Sequence, residues 1–567
     1  MSTAASLETI DSHSVLFFTL LQHAKERPTA TALTELTAGH EAISTSYNEL
    51  ALRARQFAEK FRKIAPEGAT IFLLLSKGSD CVAAMLGALG AGRAFSCLSH
   101  KLRAPQLASL LAGVDSALLL LDSAGLNSLR GLGEDVGLSG TDCFLIKDSR
   151  FSSTHERAAE TLSRIVSLRE WTQDAVTDCA QERICLTCDP SDETRCVLYT
   201  SGSTGCQKGV RISEQNLIAC AEAEVELYGL SDDDALLSVL PFAFDVGLMQ
   251  LLSGLHAGAS IVFLNSWLPG DLLRAAAEHS ISGISGVPSI WEGFLSTNCF
   301  FDTDDAHRSL RYLTISGGDL SEYKLRQLAR VAGGLDIYKT YGQSETFRST
   351  ALLPSQFRER PTSVGKAFGS CRFYVVRKDG KLAKPREVGE VVHTGPGTML
   401  GYVGAGDAKK LRRNPYKSDI DPAPFAIFTG DLGWVDEQGF LFLHGRRDDL
   451  VKINGNRVHL CEVRNGLCQI EEVGSAEVVA IRSDVGVRLA AFLVPIDGVS
   501  IDESTVGRSI RRVLPPYMIP ELFTVRDGLP TLPNGKPDRE RLVEEAEILF
   551  STKTLSVTDH IGAGHDG

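Results

Sequence analysis

Leu50, Ala54, Phe57, Ala58 and Phe61 recur at the period of a helix that buries one face, and Ser46 with Glu49 has the spacing of a capping box at its start. The string TIFLLL (70–75) follows. Its unbroken apolar run Ile71 to Leu75 has the length of a strand buried on both sides, as does Ala117 to Leu121. Between them lie a helix-like SDCVAAMLGALGAG and a short strand around AFSCLS. Alternation of this kind continues from about residue 40 to about residue 445. Strands separated by helices pair in parallel and carry the helices on their faces. The expectation is an α/β fold: a large N-terminal domain, 1–447, of parallel-rich sheets with packed helices.

The pattern changes after GRRDD (445–449). Short strand candidates VVAIRS (478–483) and LAAFLVP (489–495) flank Asp484 and Gly486, and the helix-like ESTVGRSIRRVL is stopped by Pro515-Pro516. Residues 448–567 read as a small α+β domain, with the last fifteen or so residues, ending HIGAGHDG, frayed.

Composition narrows the function. Of 567 residues, 43% are hydrophobic and 23% charged, which is globular rather than disordered. The net charge of −13 argues against a nucleic-acid binder held by bulk charge. The densest basic pairs, Arg511-Arg512 and Lys409-Lys410, read as solvated helix faces. No run approaches the ~18 apolar residues of a membrane span, and the polar start MSTAASLETIDSHS lacks the regions of a signal peptide. Thirteen scattered cysteines, mostly inside apolar runs, read as reduced core thiols, hence a cytoplasmic protein. Cys185 and Cys188 form one C-x-x-C without the second pair or histidines that a zinc site needs.

The sharpest chemical signal is VLYTSGSTGCQKGV (197–210). A strand, Arg195 to Tyr199, runs into a loop with three glycines, four hydroxyls and Lys208 within ten residues. Glycines let the backbone approach a ligand, hydroxyls and amides bond phosphate oxygens, and the lysine adds charge. The Walker spacing G-x-x-x-x-G-K-[ST] fails, because Gln207 stands where its second Gly belongs. The segment TSGSTGCQKGV instead resembles the phosphate-binding signature of the adenylate-forming (acyl-activating) superfamily, which holds acyl-CoA ligases, luciferases and nonribosomal-peptide adenylation domains.

Further elements of that family's pattern follow in order over some 340 residues. YKTYGQSET (338–346) resembles its aromatic-Gly-x-Thr-Glu element, with Ser344 in place of the usual Thr; FTGDLGW (428–434) resembles its ribose-binding Gly-Asp element. GRRDDLVKINGNRV (445–458) resembles its hinge, and LPNGKPDRERL (532–542) its C-terminal lysine loop. The resemblance implies an ATP site built from Thr200, Ser201, Gly202, Ser203, Thr204, Gly205, Tyr341, Gly342, Ser344, Asp431 and Arg446. Tyr341 would stack on adenine, and Asp431 would accept from the ribose hydroxyls. Glu345 would hold Mg²⁺, Asp448 would be the pivot of a mobile lid, and Lys208 and Lys536 would act on the reacting phosphate and carboxylate. A flat aromatic suits a base and a hard carboxylate suits a hard cation.

LPFAFDVGLMQLL (240–252) resembles one wall of the acid's pocket, where an Asp at the place of Asp245 holds a substrate ammonium in amino-acid adenylation domains. Val246, Met249, Ser316, Thr340 and Ser349 align with further wall positions. Arg348 could pair with Asp245 and cancel that role, or hold a second substrate carboxylate. RVLPPYMIP (512–520) resembles peptide-synthetase adenylation domains. Only 31 residues follow Lys536, so a carrier is expected to be a separate protein. GVDSALLL (113–120) mimics a phosphopantetheine attachment site at Ser116, but falls inside the helix-strand pattern.

The expected protein is therefore an ATP- and Mg²⁺-dependent ligase of nonribosomal-peptide type. It would adenylate a small carboxylic acid, an amino acid by preference, and pass it to the phosphopantetheine of a separate acyl or peptidyl carrier protein. The alternatives are an acyl- or aryl-CoA ligase using free CoA, and a catalytically lapsed homologue that binds nucleotide as an interaction module.

Overall fold

The computed structural model describes residues 10–561 except 13, 37–41, 103, 130–140, 149, 166–167, 172–183, 187–192, 201–206, 298–308, 405–408, 454–455, 484–485 and 497–498. Among the described residues two large, mainly parallel sheets dominate. One has eight strands and centres on Ala94–Cys97, Thr70–Leu74 and Ala117–Leu121. The other has nine, centred on Tyr312–Ile315, Gly283–Gly286, Ala235–Ser238 and Ser260–Phe263.

The capping box forms as the spacing predicts: the Ser46 side chain accepts from the Glu49 N–H, and the Glu49 side chain accepts from the Ser46 N–H. The helix that follows, Tyr47–Ile64, buries Leu50, Ala54, Phe57, Ala58 and Phe61. The strand Thr70–Leu74 shows why its sequence does not alternate. Ile71 and Leu73 join the core between the two large sheets, with Phe57, Phe61, Met85, Leu236 and Ile261, while Phe72 and Leu74 face an outer core with Leu107, Leu110 and Leu162. Both faces are covered, so the run stays apolar. A third core, around Trp291, Phe294, Leu325 and Leu328, covers the outer face of the nine-stranded sheet.

A five-stranded antiparallel sheet, including Gly389–Thr394, Phe425–Val435 and Leu441–Arg446, completes the large domain. After a 3-10 turn at Arg447–Asp449 come the hairpin Leu450–Ile453 and Asn456–His459, then a three-stranded sheet of Val473–Ser483, Gly486–Pro495 and Leu522–Val525. The small C-terminal domain thus follows the α+β pattern. It has its own core, in which Val458, Val463, Leu467, Val478, Leu489, Ala491, Leu493 and Ile510 are buried together.

Two expectations are corrected here. Residues 553–561 are helical rather than frayed: one helix runs Arg539–Ile561, because no Gly or Pro interrupts it, and Leu542, Ala546 and Phe550 anchor one stripe on the sheet; residues 562–567 lie outside the described residues. Arg511 and Arg512 are exposed as expected, but in a turn after the helix Glu503–Ile510 rather than on its face. Ser116 lies in the connection before the strand Ala117–Leu121. Cys81, Cys97, Cys143, Cys196, Cys220, Cys371 and Cys461 are buried free thiols, whereas Cys188 lies outside the described residues.

Candidate active site

The Gly-rich segment joins two antiparallel strands, Thr194–Thr200 and Lys208–Ser213, whose ladder closes with Tyr199 opposite Gly209 and Thr200 opposite Lys208. Thr200 and Lys208 are thereby held at the two ends of the loop, and the Thr200 hydroxyl donates to the Lys208 carbonyl at 3.4 Å. Ser201, Gly202, Ser203, Thr204 and Gly205 lie outside the described residues.

Lys208 Nζ stands 5.9 Å from the centre of the Tyr402 ring. The Tyr402 hydroxyl donates to Glu345 Oε1 at 2.7 Å, and Lys410 Nζ reaches the same oxygen at 2.7 Å. The loop lysine is thus joined through one tyrosine to the carboxylate that the motif assigns to a cation. Burial alone would raise the Glu345 carboxyl, but Lys410 and then Tyr402 hold it below the usual carboxylate value. Lys410 is not on a solvated helix face, contrary to expectation: it is half-buried against Glu345 and Gln343, because its chain folds back onto the site.

Asp431 and Tyr341 also meet. Asp431 Oδ2 accepts from the Tyr341 hydroxyl and from Gln343 Nε2, each at 2.7 Å, and Arg446 Nη1 lies 3.7 Å from Asp431 Oδ1 across the strand pair. Between Tyr341 and Glu345 the chain turns tightly. A side chain at Gly342 would collide with the Phe347 carbonyl oxygen, so only glycine fits there. Ser344 is half-buried in the same turn.

Two of the acid-pocket candidates, Ser316 and Thr340, stand at the C-terminal ends of parallel strands, where open α/β sheets bind ligands. Ser316 and Thr340 lie at the ends of two neighbouring strands and share a hydrogen bond of 2.5 Å. Asp245 begins the helix Asp245–Ala257, half-buried, with Val246 and Met249 buried behind it. Ser349 is buried and donates to the Thr346 hydroxyl. Arg348 lies against Glu224, a partner the sequence reading did not name. Its Nε lies 3.3 Å from Glu224 Oε1, with the two side chains 4% and 3% exposed. Burial works against the Arg348 charge, yet Glu224 first and Asp245 second keep its pKa raised.

Lys536 is exposed at the tip of a loop. Its neighbour Gly535, at φ +75°, backs so closely onto Ser289 and Val287 of the large domain that a side chain there would clash. Val287 follows the strand Gly283–Gly286, the neighbour of the strand Tyr312–Ile315 that Ser316 follows, so the lysine loop and the pocket candidates share one sheet edge. The backbone of Asp448 lies in the 3-10 turn; its side chain is outside the described residues.

Sequence reasoning missed Tyr402, Gln343, Lys410 and Glu224. Gln343 lies inside a motif already singled out. Glu224 had a signal: it shares a helical stripe with Leu217, Cys220, Ala221 and Tyr228, and an acid on an apolar stripe calls for a buried partner. Among the described residues no cluster of three or more His, Cys, Asp or Glu could hold a metal alone. A magnesium ion carried by nucleotide phosphates needs only one or two protein oxygens, which the single buried carboxylate of Glu345 fits. No described helix is long and apolar enough to cross a membrane.

The chain is 28% identical over 541 residues to delta-poly-L-ornithine synthetase of Acinetobacter baumannii (strain AB307-0294), covering 94% of this chain but only 37% of that protein. It is 29% identical over 368 residues to D-alanine--D-alanyl carrier protein ligase of Bacillus cereus (strain G9842), covering 62% of this chain and 71% of that one. The fold matches ATP-bound MatB from Rhodopseudomonas palustris with a TM-score of 0.76 at 23% identity, covering 94% and 98% of the two chains. The AMP-binding enzyme family matches residues 20–403, about two thirds of the chain, so the chain belongs to that family.

Proposed function

We propose that this chain is an AMP-forming acid–thiol ligase that adenylates an amino acid and delivers it to the phosphopantetheine thiol of a carrier protein. The observation that carries the reading is the continuous contact from Lys208 through Tyr402 to Glu345 and Lys410, beside the Tyr341–Asp431 pair. It puts cationic and anionic groups suited to a triphosphate next to an aromatic and a carboxylate suited to a nucleoside. The relatives named for ornithine and D-alanine support an amino-acid substrate, and the latter's name supports a carrier as acceptor.

In the first half-reaction a substrate carboxylate oxygen attacks the α-phosphorus of ATP, and pyrophosphate leaves with the bonding electron pair. Thr200, Ser201, Gly202, Ser203, Thr204 and Gly205 hold the phosphates, with Lys208 adding charge. Tyr341, Gly342, Ser344, Asp431 and Arg446 hold the adenosine. Lys536 bonds the reacting carboxylate and the bridging oxygen. Mg²⁺, held by Glu345, would supply charge stabilisation at the phosphates. The protein's part is positioning and electrostatics, without a covalent intermediate on a side chain. In the second half-reaction the thiol sulfur attacks the acyl carbon, AMP leaves, and the thiol proton is lost. Asp448 then serves as the pivot between residues 1–447 and a lid of 448–567, whose rotation withdraws Lys536.

Substrate-dependent ATP–pyrophosphate exchange without CoA, across amino acids, aryl acids and fatty acids, tests this. Exchange with an amino acid is the expected result. Exchange confined to acids lacking an amine, with free CoA consuming the adenylate, would replace it by an acyl- or aryl-CoA ligase. Silence with ATP binding retained would indicate a lapsed homologue.

A further inference from the structure

Glu224 is a buried carboxylate flanked on its helix by Cys220, Ala221 and Tyr228. Its side chain is 3% exposed, faces Arg348 Nε at 3.3 Å, and accepts from the Ser253 hydroxyl at 3.2 Å. Burying such a pair is costly, and a hydrophobic pair of similar volume is often as stable. Stability alone therefore gives little reason for it. Burial pushes the Glu224 carboxyl above the usual carboxylate value despite the opposing pull of Arg348 and Ser253, while Glu224 in turn favours the Arg348 charge. Arg348 is further fixed by donating to the Phe347 carbonyl at 3.2 Å. Asp245, within electrostatic reach of both, has one oxygen occupied by the Val246 N–H at 2.8 Å. Two carboxyl groups, Glu224 and Asp245, thus lie about one buried guanidinium, and the ion pair is made by Glu224.

We propose that Glu224 is a positioning residue that sets which acids this pocket accepts: by neutralising Arg348 from inside the protein, it leaves Asp245 as the surplus carboxylate, available to a substrate ammonium. The substrate class that follows is a zwitterionic amino acid with an uncharged side chain, because the remaining wall candidates Val246, Met249, Ser316, Thr340 and Ser349 carry no charge. Without Glu224, Arg348 would turn to Asp245 or to a second carboxylate on the substrate. The pocket would then lose its preference for an amine and tolerate dicarboxylic acids. This inference rests on the adenylation reading above and on Asp245 facing the acid.

The test is ATP–pyrophosphate exchange by the full chain with its best neutral amino acid, the deamino analogue of that acid, and glutarate. The wild type should prefer the amino acid over the deamino acid by about 100-fold. Glu224→Gln should raise the amino-acid KM about 10-fold or more, change kcat less than about 3-fold, and narrow the amine preference. Adding Arg348→Met should restore that preference by removing the freed cation, a rescue that a purely structural role does not predict. If Glu224→Gln fails to fold, the double variant decides: retained amine preference supports the proposal, and its loss overturns it. An unchanged preference in folded Glu224→Gln overturns the role of Glu224 while leaving amino-acid adenylation standing. A wild type active only on acids without an amine overturns both.

Discussion

Lys410 and Glu345, 65 residues apart in sequence, meet at 2.7 Å, and the same carboxylate oxygen accepts from Tyr402. Because the ammonium holds the Glu345 pKa down against burial, Lys410→Met should let it rise. The acid limb of the pH–rate profile for pyrophosphate exchange should then move to higher pH, with the plateau falling about 10-fold. An acid limb identical to that of the wild type would show that Lys410 does not govern the carboxylate.

Lys536 sits on a loop braced at Gly535 against Val287 and Ser289. Lys536→Ala should lower adenylate formation by about 100-fold or more, while ATP binding and folding persist. Pyrophosphate release at the wild-type rate would remove the role assigned to the lysine.

Asp245 is half-buried at the start of its helix, and Arg348 is already engaged by Glu224. Asp245→Ala should raise the KM for an amino-acid substrate by about 10-fold or more. An unchanged KM would remove the reason for preferring amino acids.

Arg539 joins the lysine loop to the turn after the large domain, bonding Asp449 at 2.8 Å and the buried Glu477 at 2.9 Å. Arg539→Met would leave Glu477 with Arg464 at 3.9 Å. The expected loss is about 3 kcal/mol, read as a lower urea midpoint for the C-terminal domain. A midpoint equal to that of the wild type would mean that Arg464 takes over the pairing.

His393 is fully enclosed, and among the described residues neither ring nitrogen has a hydrogen-bond partner. Burial lowers its pKa from the usual 6.5 to about 3. The unfolded chain therefore binds a proton between these values that the native chain does not. Stability is unaffected above pH 6.5 and falls as the pH drops from there towards 3, by roughly 2 kcal/mol at pH 5. His393→Leu should flatten the melting temperature between pH 5 and pH 7, and an unchanged slope would assign the loss to other groups.

Much of the scaffold is legible in the sequence because its signals are local. The capping residues Ser46 and Glu49 and the doubly buried run at 70–74 each act within a few residues, whereas the helix expected to run to Pro515 already ends at Ile510. The last helix is harder to read, since its polar end suggests fraying; yet no breaker precedes Gly562, and Leu542, Ala546 and Phe550 already tie the helix down. Lys410 escapes for a related reason: a basic pair in isolation looks solvated, and a distant carboxylate makes it otherwise.

Periodicity and side-chain chemistry, both carried on short segments, suffice for the α/β class, the order of the motifs and the residue types available to phosphate, nucleoside and acid. Which charges pair is a property of the folded chain. Asp245 was the one partner within the chain that the sequence suggested for Arg348, and the ion pair is made instead by Glu224, from a helix more than a hundred residues upstream. Charge pairing depends on distance and burial in three dimensions, and neither quantity is written in the spacing of residues along the chain.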